Sequence, residues 1–380
     1  MVEAVSSTDS TESLPIRNVA LACQGGGTHT AFTAGVLTRL MGDKGPAIRA
    51  LSGTSGGAVC AVLAWSELVA AAKEQDPVKQ NRRLEAFWSD NTTPLWQVLP
   101  WAMAFATMRW AGELGVNLET SAYRNPVDGH RMFLDLINRH VPFDKLTPDK
   151  LTSADPCLLI SAADVLTGEF RVFRSHRVNN VPADVIDGRT VLASAALPTV
   201  FRAVTIGDGL YWDGGFTQNP PIRELVEAAR RPPGTEGTGD APEEIELWIV
   251  GINPQERPDE PTFMDDIRDR RNELIENMSF LQEVYFISKI NELVLAGDTM
   301  FTPAARKKYG AVKIRAVMMG REMSDRLDYE SKMDRNPAFI QELVDHGKQQ
   351  ADEFLERLDQ HDRDLTTTLP DRDIWGTWHR

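Results

Sequence analysis

Short apolar runs alternate with glycine-rich turns and helical patterns along the first fifth of the chain. The apolar run at 18–23 predicts a buried strand, and a helical pattern follows over about 30–41. A second apolar run at 48–51 leads through a Ser/Gly-rich turn into a helix over about 58–72 that is apolar on every side. Strand, glycine-rich turn and helix, occurring twice, predict an α/β protein with a parallel central sheet.

The same patterns continue to the carboxyl end. Further strands are predicted at 157–162, 169–173, 203–206, 210–212, 247–252 and 312–318, and helices at 191–196, 263–295 and 339–358. The charged helix surface near 265–276 is interpreted as a solvated face, and 232–244 as a surface loop.

No internal repeat or long linker divides the chain. We therefore expect a polar tail over 1–16, a single α/β domain over 17–360 and a second tail over 361–380. Within the domain we expect a helical insertion at about 73–150 and carboxyl-terminal helices at about 263–360.

Charge and cysteine usage limit the classes of partner. With 41 basic and 55 acidic residues the net charge is −14, which argues against nucleic acid and against electrostatic capture by an anionic bilayer. Docking through apolar contacts stays open. The cysteines lie in apolar runs without metal-ligand spacing, and no signal peptide or apolar stretch of membrane-spanning length is found, which together predict a cytoplasmic protein. These cysteines are Cys23, Cys60 and Cys157.

Two glycine-rich turns carry candidate chemistry. The pentapeptide 53–57 fits G-x-S-x-G, with Ser55 exposed on a sharp turn at a helix start and Gly53 and Gly57 avoiding clashes. Gly25, Gly26 and Gly27 offer consecutive backbone amides at another helix start, which suit an oxyanion or a phosphate. The P-loop and dinucleotide patterns are absent.

A serine nucleophile needs a base. In an α/β-hydrolase order only His346 could complete a triad, and it lies in a charged helical stretch that looks solvated. Asp213, followed by two glycines at a predicted strand end, is the alternative, so a Ser–Asp pair is favoured.

Three blocks in this order resemble the patatin-like phospholipase family, in particular bacterial members whose glycine loop starts with Gln. They are 24–32, 53–57, and Asp213-Gly214-Gly215 with Asn219-Pro220, supported by the run at 193–198. The resemblance implies a three-layer α/β/α fold around a mostly parallel sheet. It further implies that Ser55 attacks an ester carbonyl, Asp213 accepts its proton, and the amides of Gly25, Gly26 and Gly27 hold the oxyanion, without metal or cofactor.

The sequence departs from the family at position 29, where many members carry Arg or Lys and this chain has His29. A neutral or titratable side chain there would weaken a fixed positive charge behind the glycine loop. His29 is therefore a candidate source of pH dependence.

The uncharged, tryptophan-rich segment 94–110 is either a buried helix pair or a lid that contacts lipid. The leading function is a lipid acyl hydrolase. The alternatives are a polyhydroxyalkanoate depolymerase with the same dyad and a catalytically silent lipid- or partner-binding protein. The head group, the acyl length and the oligomeric state stay open.

Overall fold

The computed structural model describes residues 17–42, 45–74, 82–92, 121–124, 129–198, 200–230, 245–257, 259–296, 302, 309–328 and 330–361. Its strands are β1 (Asn18–Cys23), β2 (Ala47–Gly53), β3 (Cys157–Asp164), β4 (Phe170–Arg174), β5 (Val204–Ile206), β6 (Gly209–Asp213), β7 (Ile245–Gly251) and β8 (Val312–Met318). Its α-helices are α1 (Ala31–Leu40), α2 (Gly56–Glu74), α3 (Arg82–Asp90), α4 (Gly129–His140), α5 (Gly188–Ser194), α6 (Ile222–Arg230), α7 (Met264–Leu295), α8 (Arg321–Ser324) and α9 (Pro337–His361).

The strands form one mixed sheet in the order β5-β6-β3-β2-β1-β7-β8, with β4 pairing with β3 off this path. The pairs β1–β2, β1–β7, β2–β3 and β7–β8 are parallel. The pairs of β3 with β4 and with β6, and of β5 with β6, are antiparallel. The carboxyl ends of β1 and β2 are in register at Cys23 and Gly53, which brings the two glycine-rich turns to the same edge of the sheet.

The side chains of β1 show why the fold has three layers. Because successive side chains of a strand point to opposite faces, Val19, Leu21 and Cys23 join one apolar core and Ala20 and Ala22 join another. The first core contains residues of α1, α2 and α9, and the second contains residues of α6 and α7. Helices therefore cover both faces of the sheet, as the three-layer α/β/α prediction requires.

Two glycines set the packing of α1 against α9. A Cβ atom added to Gly35 would lie 2.0 Å from the carbonyl oxygen of Val344, and one added to Gly347 would lie 2.0 Å from that of Phe32. The backbones of the two helices thus approach to a distance that only glycine permits.

Helix α2 follows directly from the Ser55 turn. Among the described helices it is the one that is long and apolar enough to cross a membrane by length and composition, with a mean hydropathy of 1.3 over Gly56–Lys73. Its residues are mostly buried in the first apolar core, where Trp65 is fully enclosed. A helix that is apolar on every side is expected at such a position.

The predicted strands and helices named above are confirmed, and their ends differ from the observed ends by no more than three residues. Segments 94–110 and 232–244, the predicted tail 1–16 and the predicted tail 361–380 except for His361, which ends α9, lie outside the described residues. The division of the chain into domain and tails stays a prediction.

Candidate active site

Ser55 lies on a strained turn between β2 and α2. Its φ angle is +54°, a left-handed value that side chains rarely adopt. The Ser55 amide donates to Ser194 Oγ at 3.0 Å, and its carbonyl accepts from the amides of Ala58 and Val59, which starts α2. The serine side chain is thus held at the amino-terminal end of a 19-residue helix, where the helix dipole favours negative charge.

The neighbouring glycines allow this turn to pack. A Cβ atom on Gly57 would lie 2.4 Å from the carbonyl oxygen of Cys23, and one on Gly53 would lie 2.4 Å from that of Gly57. Both positions therefore require glycine, as the G-x-S-x-G pattern predicts.

Asp213 ends β6, which pairs with β3, and it faces the Ser55 turn. Its Oδ1 accepts a hydrogen bond of 2.8 Å from the Gly215 amide. Its Oδ2 is buried and has no hydrogen-bond partner by distance and angle in the described part of the chain. The Ser55 hydroxyl is nevertheless close enough to lower the pKa of the carboxyl. An acceptor oxygen is thus left available beside the serine.

Burial determines the protonation of Asp213. Loss of solvent raises its pKa from 3.8 to about 7, although the hydrogen bond from the Gly215 amide and the nearby Ser55 hydroxyl oppose this rise. The nearby Glu276 carboxylate raises the pKa further. A carboxylate with a pKa near neutrality is a much better base toward an alcohol than an ordinary aspartate.

The glycine loop lies directly against the serine. A Cβ atom on Gly25 would lie 2.9 Å from the Ser55 Cβ and 2.5 Å from the Thr54 carbonyl oxygen. The Gly25 amide, one of the three predicted oxyanion donors, instead donates to Asn219 Oδ1 at 2.6 Å. Among the described residues no acceptor engages the amides of Gly26 and Gly27. These two amides are the donors that a substrate oxygen could meet.

Gln24 joins the glycine loop to the other layer of the fold. Its Oε1 accepts from the amides of Ile252 and Asn253 at 2.9 and 3.0 Å, and its Nε2 donates to Asn277 Oδ1 at 2.8 Å. The loop is therefore fixed to the end of β7 and to α7. A buried amide with these partners is a structural connection, not a charged group of the site.

The polar side of α7 faces the protein interior, so the solvated-face interpretation of the residues near 265–276 is wrong. Asp269 and Glu273 are 2% and 4% exposed. The side of a helix that packs inward is set by its partners, and here buried cations lie opposite the carboxylates. We call the group the charge cluster, and its members are Arg257, Asp269, Arg270, Glu273, Glu276 and Lys332.

Lys332 connects the charge cluster to the glycine loop. Its Nζ lies 3.6 Å from Asp269 Oδ1 and 3.9 Å from Glu276 Oε2. A Cβ atom on Gly27 would lie 2.4 Å from the Lys332 carbonyl oxygen. Glu276 also accepts a hydrogen bond of 2.6 Å from Asn253 Nδ2 and raises the pKa of Asp213. The backbone of Lys332 therefore packs against the glycine loop, and its ammonium group faces the carboxylates behind Asp213.

The two histidines considered from sequence have other partners. His29 Nε2 shares a 2.8 Å hydrogen bond with Ser331 Oγ. Burial, assisted by the charge of Lys332, lowers the pKa of His29 to about 3. His29 is thus neutral near pH 7, which removes it as a source of pH dependence there. His346 Nε2 accepts from the Gly320 amide at 3.0 Å and is not bonded to Ser55 or Asp213.

Sequence patterns differ in how well they indicate these neighbours. Ser194 and Asn219 belong to short blocks that the sequence already singles out. Glu276 and Lys332 lie in ordinary charged stretches, where no pattern distinguishes them. In the described part of the chain no cluster of His, Cys, Asp and Glu has the arrangement of a metal site.

Comparison with known proteins identifies one protein family that the chain matches. A family model described as "Patatin-like phospholipase" matches residues 21–226, more than half of the chain. No curated protein matches. Among solved structures, VipD from Legionella pneumophila is 13% identical, with a TM-score of 0.37, 91% of this chain covered and 68% of that chain.

A second similar structure is full-length ExoU in complex with SpcU, from the type III secretion system of Pseudomonas aeruginosa. It is 14% identical, with a TM-score of 0.27, and the match covers 77% of this chain and 59% of that chain. The chain therefore spans about three fifths of that relative. With the family match over residues 21–226 and the mixed, helix-covered sheet, the chain belongs to the patatin-like phospholipase family of lipid hydrolases.

Proposed function

We propose that this protein is a serine lipid acyl hydrolase that cleaves carboxylic ester bonds of phospholipids or related acyl lipids through a Ser55–Asp213 dyad. One observation carries the proposal: a serine on a strained turn at a helix start lies beside a buried aspartate whose Oδ2 has no hydrogen-bond partner by distance and angle among the described residues.

In the first step the Ser55 hydroxyl gives its proton to Asp213 Oδ2 while Oγ forms a bond to the ester carbonyl carbon. The carbonyl electrons move to oxygen, and the amides of Gly26 and Gly27 donate to this oxyanion. Collapse of the tetrahedral intermediate breaks the ester bond, and the leaving alcohol takes the proton from Asp213. The product of this step is an acyl-Ser55 ester.

In the second step water attacks the acyl carbonyl while Asp213 accepts the water proton. The tetrahedral intermediate collapses, Ser55 recovers a proton from Asp213, and the fatty acid leaves. The Gly25 amide joins the oxyanion donors only when Asn219 Oδ1 releases it. In the observed arrangement it instead keeps the loop against Ser55. Removal of one oxyanion donor from a hydrolase typically costs about 2.7–4 kcal/mol in barrier height.

Three further statements belong to this proposal. The substrate is an acyl lipid, and a polyester remains the alternative substrate for the same dyad. The protein is of the bacterial type with a Gln-first glycine loop. It acts in the cytoplasm, which its three buried free cysteines support.

Hydrolysis of p-nitrophenyl esters of increasing acyl length tests the proposal, using wild type, Ser55→Ala and Asp213→Asn. We expect turnover by wild type and a loss of at least about a thousandfold in both variants. Ser66→Ala, a buried serine on α2 that bonds to the Leu63 carbonyl, is the control and retains activity. An Asp213→Asn variant as active as wild type would show that another group is the base.

A further inference from the structure

Two consecutive buried residues, Gln218 and Asn219, lie where the three segments of the proposed site meet. They follow the turn after Asp213, and we call the pair the 218–219 clamp. The sequence singles out Asn219 with Pro220 as part of a motif block, yet no step of the proposed reaction passes a proton or an electron pair through either residue. Asn219 contacts the glycine loop instead, and its neighbour contacts the turn that carries the nucleophile.

The Asn219 side chain binds both backbone polar groups of Gly25. Its Oδ1 accepts from the Gly25 amide at 2.6 Å, and its Nδ2 donates to the Gly25 carbonyl oxygen over a longer distance of 3.5 Å. The Gly25 carbonyl and the Gly26 amide belong to one planar trans peptide group, in which they point in opposite directions. By holding that carbonyl, Asn219 therefore sets the direction of the Gly26 amide, which is one of the two proposed oxyanion donors.

The backbone of Gln218 binds the other two segments of the site. Its carbonyl oxygen accepts from Thr54 Oγ1 at 2.8 Å, and Thr54 directly precedes Ser55. Its amide donates to the Gly214 carbonyl oxygen at 2.9 Å, in the turn that follows the proposed base. Ser161 Oγ, on β3, donates to the same Gln218 carbonyl at 3.0 Å and lies 2.5 Å from Thr54 Oγ1. The clamp thus contacts the glycine loop, the nucleophile turn and the turn after the base.

The position of these segments relative to one another matters for the rate of reaction. Catalytic groups must be held within about 0.5 Å of their productive geometry, and a misplacement of about 1 Å can cost about a hundredfold in rate. The glycine loop follows β1 and the Ser55 turn follows β2, so their spacing depends on the groups that contact both. Hydrogen bonds suit this task because they are directional as well as attractive.

We propose that the 218–219 clamp sets the position of the oxyanion donors relative to the nucleophile, with Asn219 and Thr54 as positioning residues. The proposal rests on the proposed function, because it concerns the same serine and the same amides. Neither residue makes or breaks a bond: Asn219 acts through the glycine loop, and Thr54 acts through the Ser55 turn. Loss of either contact therefore weakens binding of the transition state and leaves binding of the substrate chain nearly unchanged.

Three variants of the full-length protein test the proposal by hydrolysis of a p-nitrophenyl ester. Thr54→Val removes the hydroxyl and its bonds to Gln218 and Ser161, whereas Thr54→Ser keeps the hydroxyl. We expect Thr54→Val to lower kcat at least about tenfold with KM changed less than about twofold, and Thr54→Ser to recover most of this loss. Asn219→Ala removes both contacts with Gly25 and should lower kcat about a hundredfold.

A transition-state analogue gives the readout that separates positioning from folding. An alkyl trifluoromethyl ketone forms a hemiketal with Ser55: Oγ bonds to the carbonyl carbon, the hydroxyl proton passes to Asp213, and the oxyanion meets the glycine loop. We expect its inhibition constant to rise in Asn219→Ala and Thr54→Val by about the factor by which kcat/KM falls. The alcohol of the same chain length has no carbonyl, and its inhibition constant should stay unchanged.

Ser175→Ala is the matched control for the loss of a buried hydroxyl. Ser175 is buried, and its Oγ accepts from the Leu158 amide at 2.8 Å. This contact lies near the amino end of β3, whereas the Ser55 turn follows the carboxyl end of the neighbouring strand β2. We expect the control to lose stability but to keep kcat and both inhibition constants. Thermal midpoints of all variants are measured, and the assays are run well below the lowest of them.

Wild-type rates in folded Asn219→Ala and Thr54→Val, or equal losses of ketone and alcohol binding, would overturn the proposal. So would a faster Asn219→Ala enzyme, because Asn219 would then withhold the Gly25 amide from the substrate. If Asn219→Ala does not fold, the two Thr54 variants decide the outcome. Wild type and Ser55→Ala are assayed in parallel: equal rates for these two would refute the proposed function itself, whereas an active wild type with unaffected Asn219 and Thr54 variants refutes the clamp alone.

Discussion

The Ser55 turn and the charge cluster are both buried next to the proposed reacting atoms, yet they are built in different ways. The Ser55 turn is fixed by backbone geometry: a left-handed φ angle and glycines whose added Cβ atoms would meet carbonyl oxygens within 2.4 Å. The charge cluster is fixed by side chains from distant parts of the chain, such as Arg257, Glu276 and Lys332. A backbone requirement can be recognised in a short sequence pattern. Charge pairs between distant elements cannot, because their residues are not close together in the sequence.

The largest effect is expected when the Ser55 turn loses a glycine. Gly57→Ala would place a Cβ atom 2.4 and 2.6 Å from the carbonyl oxygens of Cys23 and Gln24. We expect ester hydrolysis to fall more than a hundredfold and the free energy of unfolding to fall by at least about 4 kcal/mol. Denaturant unfolding and initial rates measure the two effects.

Gly207→Ala is the control for this prediction. Unlike Gly57, Gly207 has a left-handed φ, of +58°, but no atom lies within 4 Å of a Cβ atom added to it. The variant is expected to lose only about 1 kcal/mol and to keep its activity. Equal losses in both variants would contradict the conclusion that close packing sets the cost of a side chain at position 57.

Lys332→Met tests the charge cluster. The variant removes the cation that faces the buried carboxylate of Asp269 and the half-buried carboxylate of Glu276. Breaking a buried ion pair by deleting one partner typically costs about 3–5 kcal/mol, and we expect a loss in this range in urea unfolding at pH 7.

The matched control for Lys332 is Lys289→Met. Lys289 pairs with Glu292 at 2.8 Å on the exposed side of α7. Because exposed pairs contribute little, we expect a much smaller change in stability than in Lys332→Met. Similar losses in the two lysine variants would contradict the conclusion that the inward side of α7 carries the buried charges.

Asp213→Asn is expected to stabilise the protein in a pH-dependent way. The folded protein holds the Asp213 proton up to about pH 7 and the unfolded chain only to about 3.8, so wild-type stability falls as pH rises between these values. Asn is never ionised, so the variant does not carry the cost of a buried negative charge at high pH. Its side-chain oxygen can still accept the hydrogen bond from the Gly215 amide. At pH 8 we expect the variant to be more stable by about 2–3 kcal/mol, with the difference vanishing near pH 3.

Asp164→Asn is expected to change stability at pH 8 in the opposite direction from Asp213→Asn. The exposed Asp164 carboxylate accepts from the amides of Leu166 and Thr167, which lowers its pKa. Its contribution to stability is present at neutral pH and is lost on acidification, so the variant should be less stable than wild type at pH 8. Thermal midpoints across pH distinguish the two cases, and a destabilised Asp213→Asn protein at pH 8 would refute the raised pKa.

The smallest expected effect comes from Glu276→Gln. Gln retains an oxygen for Asn253 Nδ2 but removes the negative charge that raises the pKa of Asp213. Because Asp213 must be ionised to act as the base, the acidic limb of the kcat/KM profile should move to lower pH. Glu283→Gln is the control: Glu283 is a half-buried carboxylate on α7 that accepts from the Ile222 amide, and its replacement should leave the acidic limb in place.

Local periodicity predicts the strands and helices, and positions that only glycine can fill predict the Ser55 turn. The three-layer arrangement is predicted by the family resemblance. The sequence does not predict that the Gly25 amide is engaged by Asn219, since that contact joins residues 194 positions apart. It assigns the inward side of α7 to solvent because a charged helix surface usually faces water. Burial of Asp269 and Glu273 becomes favourable only beside Arg257, Arg270 and Lys332.

The central claim is that Ser55 is a nucleophile activated by Asp213, and covalent labelling tests it most directly. Wild type is treated with a fluorophosphonate ester across pH, and the rate and site of labelling are read by intact-protein and peptide mass spectrometry. We expect one label per chain on Ser55, with a rate that rises with pH to half its maximum near pH 7, and slow, pH-independent labelling of Asp213→Asn. Labelling at another residue, or the same profile in the Asp213→Asn variant, would contradict the dyad.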